Sequence, residues 1–159
     1  MQDEGSRLAE FSLAVRESTL KRLRSIPMGC ENWRPTPGAL SCGEIAQHLL
    51  TADRWLFAKL EDPTLGGMVA KAERGSALTR VDFDRVLAAL QESGERRAAL
   101  CATVDSAGFS RMVPDDRFGG GVSVWWVVVR GNLDHEAHHR GQVATYLRIL
   151  HDQGQGDGG

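Results

Sequence analysis

Apolar residues recur at helical spacing in four stretches of the chain. From about Ser6 to Ile26 the positions Leu8, Phe11, Val15, Leu20 and Leu23 predict a first helix with these side chains inward. Pro27, Pro35, Pro37 and Gly38 end it in a loop that contains Trp33. Ser41-Cys42-Gly43-Glu44 reads as a capping box, in which a hydroxyl and a carboxylate satisfy each other's backbone amides. The helix behind it, to about Leu60, turns Ile45, Leu49, Ala52 and Leu56 inward, and His48 with them. Glu61 to Leu78 carries Pro63, Gly66, Gly67 and Gly75 with weak periodicity, which predicts a long crossover with a short helical turn. A third helix spans Asp82 to about Val104, with Phe83, Val86, Leu87, Leu90, Leu100 and Cys101 inward.

Gly108 to Gly121 reads as a loop. The run Val122 to Val129, with Trp125 and Trp126, is ambiguous. Its β-branched and aromatic content suits a buried strand, yet a lone strand has no partner, and the run is in phase with the residues that follow. One long helix from about Ser123 to Leu150 is the reading that satisfies both points. Asp152 to Gly159, with four glycines, has nothing to pack and is expected to be a disordered tail behind one domain of residues 1–151. Four helices with a long connection between the second and third predict an all-α four-helix bundle.

At about 100° per residue, His135 and His139 lie about 40° apart and one turn apart on the fourth helix. Val124, Val128, Gly131, Gln142, Tyr146 and Ile149 share their stripe; Arg130, Asp134, Arg140 and Arg148 fall opposite. Two imidazoles placed so on a buried face can grip a divalent metal, and inward-facing His48 offers a third. Three imidazoles leave one tetrahedral position for water or substrate. His138 competes with His139, but sits further from the stripe. The plainer reading keeps His48 as a core histidine and the pair as a polar face. Gln142, one turn beyond His139, either orients a ligand imidazole or contacts substrate, or else bonds between helices. Glu136 is placed for a surface pair with Arg140, Asp53 reads as solvated, Gly141 as a site of close helix approach, and Trp55, Trp125 and Trp126 as core or interface residues.

Composition narrows the options. Hydrophobic residues make up 42% and charged residues 25% of 159 positions, as in soluble globular chains. A net charge of −2 speaks against nucleic-acid binding, and no apolar run is long enough to span a membrane. The acidic start, Met-Gln-Asp-Glu-Gly, lacks the basic and apolar parts of a signal peptide, so a cytoplasmic setting is expected. Cys30, Cys42 and Cys101 have no C-x-x-C spacing, which excludes a thiolate zinc knuckle.

Two segments together resemble the DinB/YfiT-like superfamily of metalloenzymes. One is Trp33-Arg34-Pro35-Thr36-Pro37-Gly38-Ala39-Leu40-Ser41-Cys42-Gly43-Glu44-Ile45-Ala46-Gln47-His48-Leu49. The other is Asn132-Leu133-Asp134-His135-Glu136-Ala137-His138-His139-Arg140-Gly141-Gln142, leading into Ala144-Thr145-Tyr146-Leu147-Arg148. The resemblance implies a four-helix bundle with zinc or nickel on His48, His135 and His139, and often a homodimer. It also implies use of a low-molecular-weight thiol, of the bacillithiol or mycothiol type, on a small electrophilic substrate. Hydrolysis by metal-bound water, with Glu44, Asp53 or Glu136 as base, is the second reading. A stress-induced metal- or partner-binding bundle without chemistry is the third.

Overall fold

The computed structural model describes residues 3–66, 75 and 77–156. Half of the crossover expected between Glu61 and Leu78, with Gly67 and any helical turn in 67–74, lies outside the described residues, as does the end of the tail at 157–159. Six helices and one hairpin follow in order: α1 (Glu4–Arg24), α2 (Cys42–Glu61), α3 (Arg80–Thr103), α4 (Ser106–Ser110), β1 (Met112–Asp115), β2 (Gly120–Ser123), α5 (Val124–Val128) and α6 (Asp134–Gly156). The molecule is mostly helical, and α1, α2, α3 and α6 are its long rods.

Each rod starts or stops for a local reason. Asp3 accepts from the Ser6 amide at the head of α1. The capping box forms as expected: Ser41 N donates to Glu44 Oε2 at 2.7 Å, and Glu44 N to Ser41 Oγ at 3.2 Å. Thr79 caps α3. Between α1 and α2, Glu31 is buried, and its carbonyl takes the Gly43 amide at 2.8 Å. Trp33 sets its ring edge-on to Tyr146 of α6, 5.7 Å between centroids, which ties this loop to the last helix.

The core falls into two apolar clusters. One contains Leu8, Val15, Leu56, Ala98, Cys101, Val128 and Leu133; the other contains Leu20, Leu23, Ile45, Leu49, Phe83, Leu90, Val143 and Tyr146. α1 and the segment from α5 into α6 meet the first cluster before the second, and α2 and α3 meet them in reverse. Two helices therefore run each way, and consecutive α2 and α3 run in the same direction. A parallel pair needs a connection as long as the bundle, which is why the α2–α3 crossover is long.

Several expectations are corrected. Gly108–Gly121 is not a plain loop: after α4, β1 pairs antiparallel with β2, Met112 opposite Ser123 and Asp115 opposite Gly120. The run at Val122 thus has the strand partner that the sequence did not betray, because β1 contains a proline and an exposed methionine. Gly119 (φ 80°) and Gly120 (φ 132°) close this hairpin in backbone space that side chains avoid. The long last helix is not uniform either. Val129–Leu133 forms a π turn, with the Asp134 amide reaching back to the Val129 carbonyl. α6 then continues through Asp152–Gly156, residues expected as tail. Phe11, Trp125 and Trp126 are not core: they are 56%, 39% and 41% exposed. A methyl on Gly141 would meet open space, so no helix approaches closely there.

Packing demands glycine at Gly5, where a Cβ would lie 2.6 Å from the Cys101 and Val104 carbonyl oxygens, and at Gly94. A Cβ there would lie 2.6 Å from Arg16 Cγ and 3.2 Å from Arg16 Cβ, atoms close to the α1 backbone. Alanine in a helix interior ordinarily gains about 1 kcal/mol over glycine. Gly94→Ala should nonetheless lose about 1–3 kcal/mol through overpacking, read as a lower urea midpoint.

Candidate metal centre

Between the two apolar clusters lies a layer of polar side chains, all of them buried. Arg16 (α1), Asp53 (α2), Arg97 (α3) and Glu136 (α6) are each 1–2% exposed. Arg16 Nε donates to Glu136 Oε1 at 2.8 Å, and Arg16 Nη2 to Asp53 Oδ2 at 2.8 Å. Arg97 Nη1 donates to Glu136 Oε2 at 2.7 Å and to Asp53 Oδ1 at 3.2 Å. Ser12, Ser93 and Asn132 take up remaining donors and acceptors. Two positive and two negative charges cancel, as buried charge requires. Burial pushes the Glu136 carboxyl up, but hydrogen bonds from Arg16 and the charges of both arginines outweigh it and bring it down to about 2. Asp53 is therefore not solvated, and Glu136 does not pair with Arg140 on the surface.

One helical turn from this layer, three imidazoles converge. His48 Nε2 lies 2.9 Å from His135 Nε2, and His139 Nε2 lies 3.1 Å from the same atom. The rings stand nearly perpendicular to one another, with centroids 4.6 to 4.9 Å apart. Asp53 and Glu136, locked in the layer, fix the rotation of the helices that carry these histidines. His138 stays outside the group: it is exposed on the far side of His139.

The three nitrogens suit a divalent ion. Nitrogens sharing one tetrahedral zinc, each about 2.0–2.1 Å away, are roughly 3.3 Å apart, close to the spacing here. His139 Nδ1 is 2.7 Å from Gln142 Oε1. As the N–H partner of that amide oxygen, it leaves the Nε2 lone pair facing the other two rings. His135 Nδ1 is buried and has no hydrogen-bond partner among the described residues. Burial lowers all three rings, and neighbouring imidazoles lower two of them further: His135 and His139 fall to about 4. At neutral pH the set is three uncharged donors. Neutral lone pairs aimed at one point repel unless a cation sits among them. Among the described residues no carboxylate or thiolate joins the group. Gln142→Ala should cost about 10- to 100-fold in zinc affinity with the fold intact, as measured by chelator competition.

A cavity of about 680 Å³ adjoins the centre, with His135 and Gly131 in its wall. The hairpin contributes Arg117 and Phe118 to the wall, two residues that no motif or periodicity in the sequence marks. Arg117 packs against the Trp55 ring at 4.0 Å and is held by Asp115.

The comparisons with known proteins agree with this architecture. A search of curated proteins found no match. The crystal structure of a DinB-like protein, YjoA, from Bacillus subtilis superposes with a TM-score of 0.66 at 18% identity, covering 91% of each chain. That likeness is one of fold. The model of the DinB superfamily matches residues 13–143, from the first helix to just beyond the histidine pair. The chain belongs to the DinB superfamily.

Proposed function

We propose that this protein is a metal-dependent transferase that uses a low-molecular-weight thiol on a small electrophilic substrate. The observation that carries the reading is the convergence of His48, His135 and His139 nitrogens beside a cavity of small-molecule size. A divalent cation, zinc or nickel, would supply Lewis acidity there and favour a thiolate at neutral pH. Gln142 holds the His139 ring in the tautomer that presents Nε2. The Arg16–Glu136–Arg97–Asp53 layer holds α2 and α6 in the rotation that keeps the three nitrogens together. Phe118 and the turn at Gly131 bound the space in which an electrophile would lie.

Hydrolysis ranks below this reading because its candidate bases are committed elsewhere. Glu44 closes its capping box and pairs with Arg34 at 3.2 Å, while Asp53 and Glu136 are bound by two arginines. A fourth protein ligand would favour a purely metal-binding bundle, and among the described residues the group contains three.

Zinc- or nickel-loaded protein should conjugate a cellular thiol to 1-chloro-2,4-dinitrobenzene, and His48→Ala should not. Absence of metal-dependent turnover across cysteine- and glucosamine-based thiols would overturn the transferase reading. A single-domain chain, a cytoplasmic setting and a homodimer belong to the same proposal. No helix among the described residues is long and apolar enough to cross a membrane, and light scattering in solution decides the dimer.

A further inference from the structure

The hairpin wall of the cavity holds an arginine in an unusual state of readiness. Asp115, whose side chain is fully buried, accepts from Arg117 Nε at 3.0 Å and from Nη2 at 2.8 Å. The guanidinium is further held against Trp55 at 4.0 Å and Phe118 at 5.0 Å. A guanidinium has five N–H donors. Two are used, so three have no acceptor among the described residues, on a side chain that is 23% exposed in the cavity wall. Gly131 makes room for it: a Cβ there would stand 3.1 Å from Arg117 Nη2.

The charges around Arg117 are each partnered. The Asp115 carboxylate feels both Arg117 and Lys59, and Lys59 acts in turn on the Asp62 carboxylate, so two anions serve two cations. Lys59 is buried and its Nζ donates to the Leu65 and Pro114 carbonyls, which are neutral. Arg130 and Asp134, also in the wall, pair with each other and cancel. What the wall offers a ligand is therefore the unused N–H groups of Arg117 rather than a surplus of charge.

We propose that this cavity is a binding subsite for a carboxylate, anchored on the unused N–H groups of Arg117, so that the substrate or thiol taken by the metal centre is a carboxylic acid. This rests on the transferase reading for its second half only. A fixed, planar fork with several free donors matches the coplanar oxygens of a carboxylate.

The test uses cobalt-loaded protein and two thiols of the same shape, 3-mercaptopropionate and 3-mercaptopropionamide, with binding read from the thiolate-to-cobalt absorption. The wild-type chain should prefer the carboxylate by about tenfold or more. The preference should fall to about one in an Asp115→Asn/Arg117→Gln double variant, which removes the charge pair together. Gly131→Ala, which crowds Arg117 Nη2 without removing charge, should lower it severalfold if the double variant does not fold. Equal affinity for both thiols in the wild-type chain, or an unchanged preference in these variants, overturns the proposal. If neither thiol produces the absorption band, the thiol reading of the metal centre fails. The subsite is then judged by NMR titration with propionate, propionamide and inorganic phosphate. Binding of propionate alone, lost in the variants, supports it; propionamide binding equally, or phosphate binding more tightly, overturns it.

Discussion

His139→Ala is expected to abolish stoichiometric metal binding, and His138→Ala to leave it intact. The two residues are neighbours, and in sequence either could pair with His135. In the fold His139 Nε2 sits 3.1 Å from His135 Nε2 and its ring is 7% exposed, whereas His138 lies on the solvent side. Loss of His139 leaves two imidazoles, one of them without an acceptor for its second nitrogen among the described residues. Affinity should fall by well over 100-fold, since even disturbing an outer partner of a ligand costs about 10- to 100-fold. His48→Ala should behave like His139→Ala although it lies 87 residues from His135 in the chain. Metal analysis of untagged protein, one ion per chain against none, checks all three variants. One ion retained in His139→Ala would mean that another ligand set operates.

The second large effect belongs to the charged layer. Asp53→Ala leaves Arg16 and Arg97 facing a single carboxylate, with one positive charge uncompensated where neither arginine reaches water. Removing one partner from such a group costs about 3–5 kcal/mol. For a chain of this length that is a fall of about 6–20 °C in melting temperature. Acid should attack the same layer through Glu136. Its carboxyl titrates at about 2 in the folded chain against an ordinary 4.5. A lowered folded value means that its stabilisation is complete above about pH 4.5 and is lost as pH falls through about 2. Denaturant melts at stepped pH check this; stability that is flat from pH 5 to 2.5 would show that the pair does not carry it.

Helices were legible in the chain because their apolar residues keep a strict period, and the capping box at Ser41 marks one start without ambiguity. The imidazole set was legible for the same reason, since His48 and His139 interrupt apolar stripes. The charged layer was not read, though a signal was present. Ser12, Arg16 and Thr19 continue the Leu8–Leu23 stripe at spacings of three and four, Asp53 lies between Leu49 and Leu56, and Arg97 between Leu90 and Cys101. A single charge reads as a mark of surface, but four charges of both signs on four inward stripes predict mutual pairing. The hairpin was missed for a different reason: its strands are four residues each, and glycine and proline mask their alternation. The π turn escapes any fixed-period reading, because it inserts its extra residue without a distinctive composition.

The placement of that layer midway along the rods has a consequence for redesign. Aliphatic side chains in place of Arg16, Asp53, Arg97 and Glu136 would leave greasy rods with nothing to stop them sliding past one another. Such a bundle would survive hotter water, yet its imidazoles would drift out of register. Heat resistance and metal retention would part company.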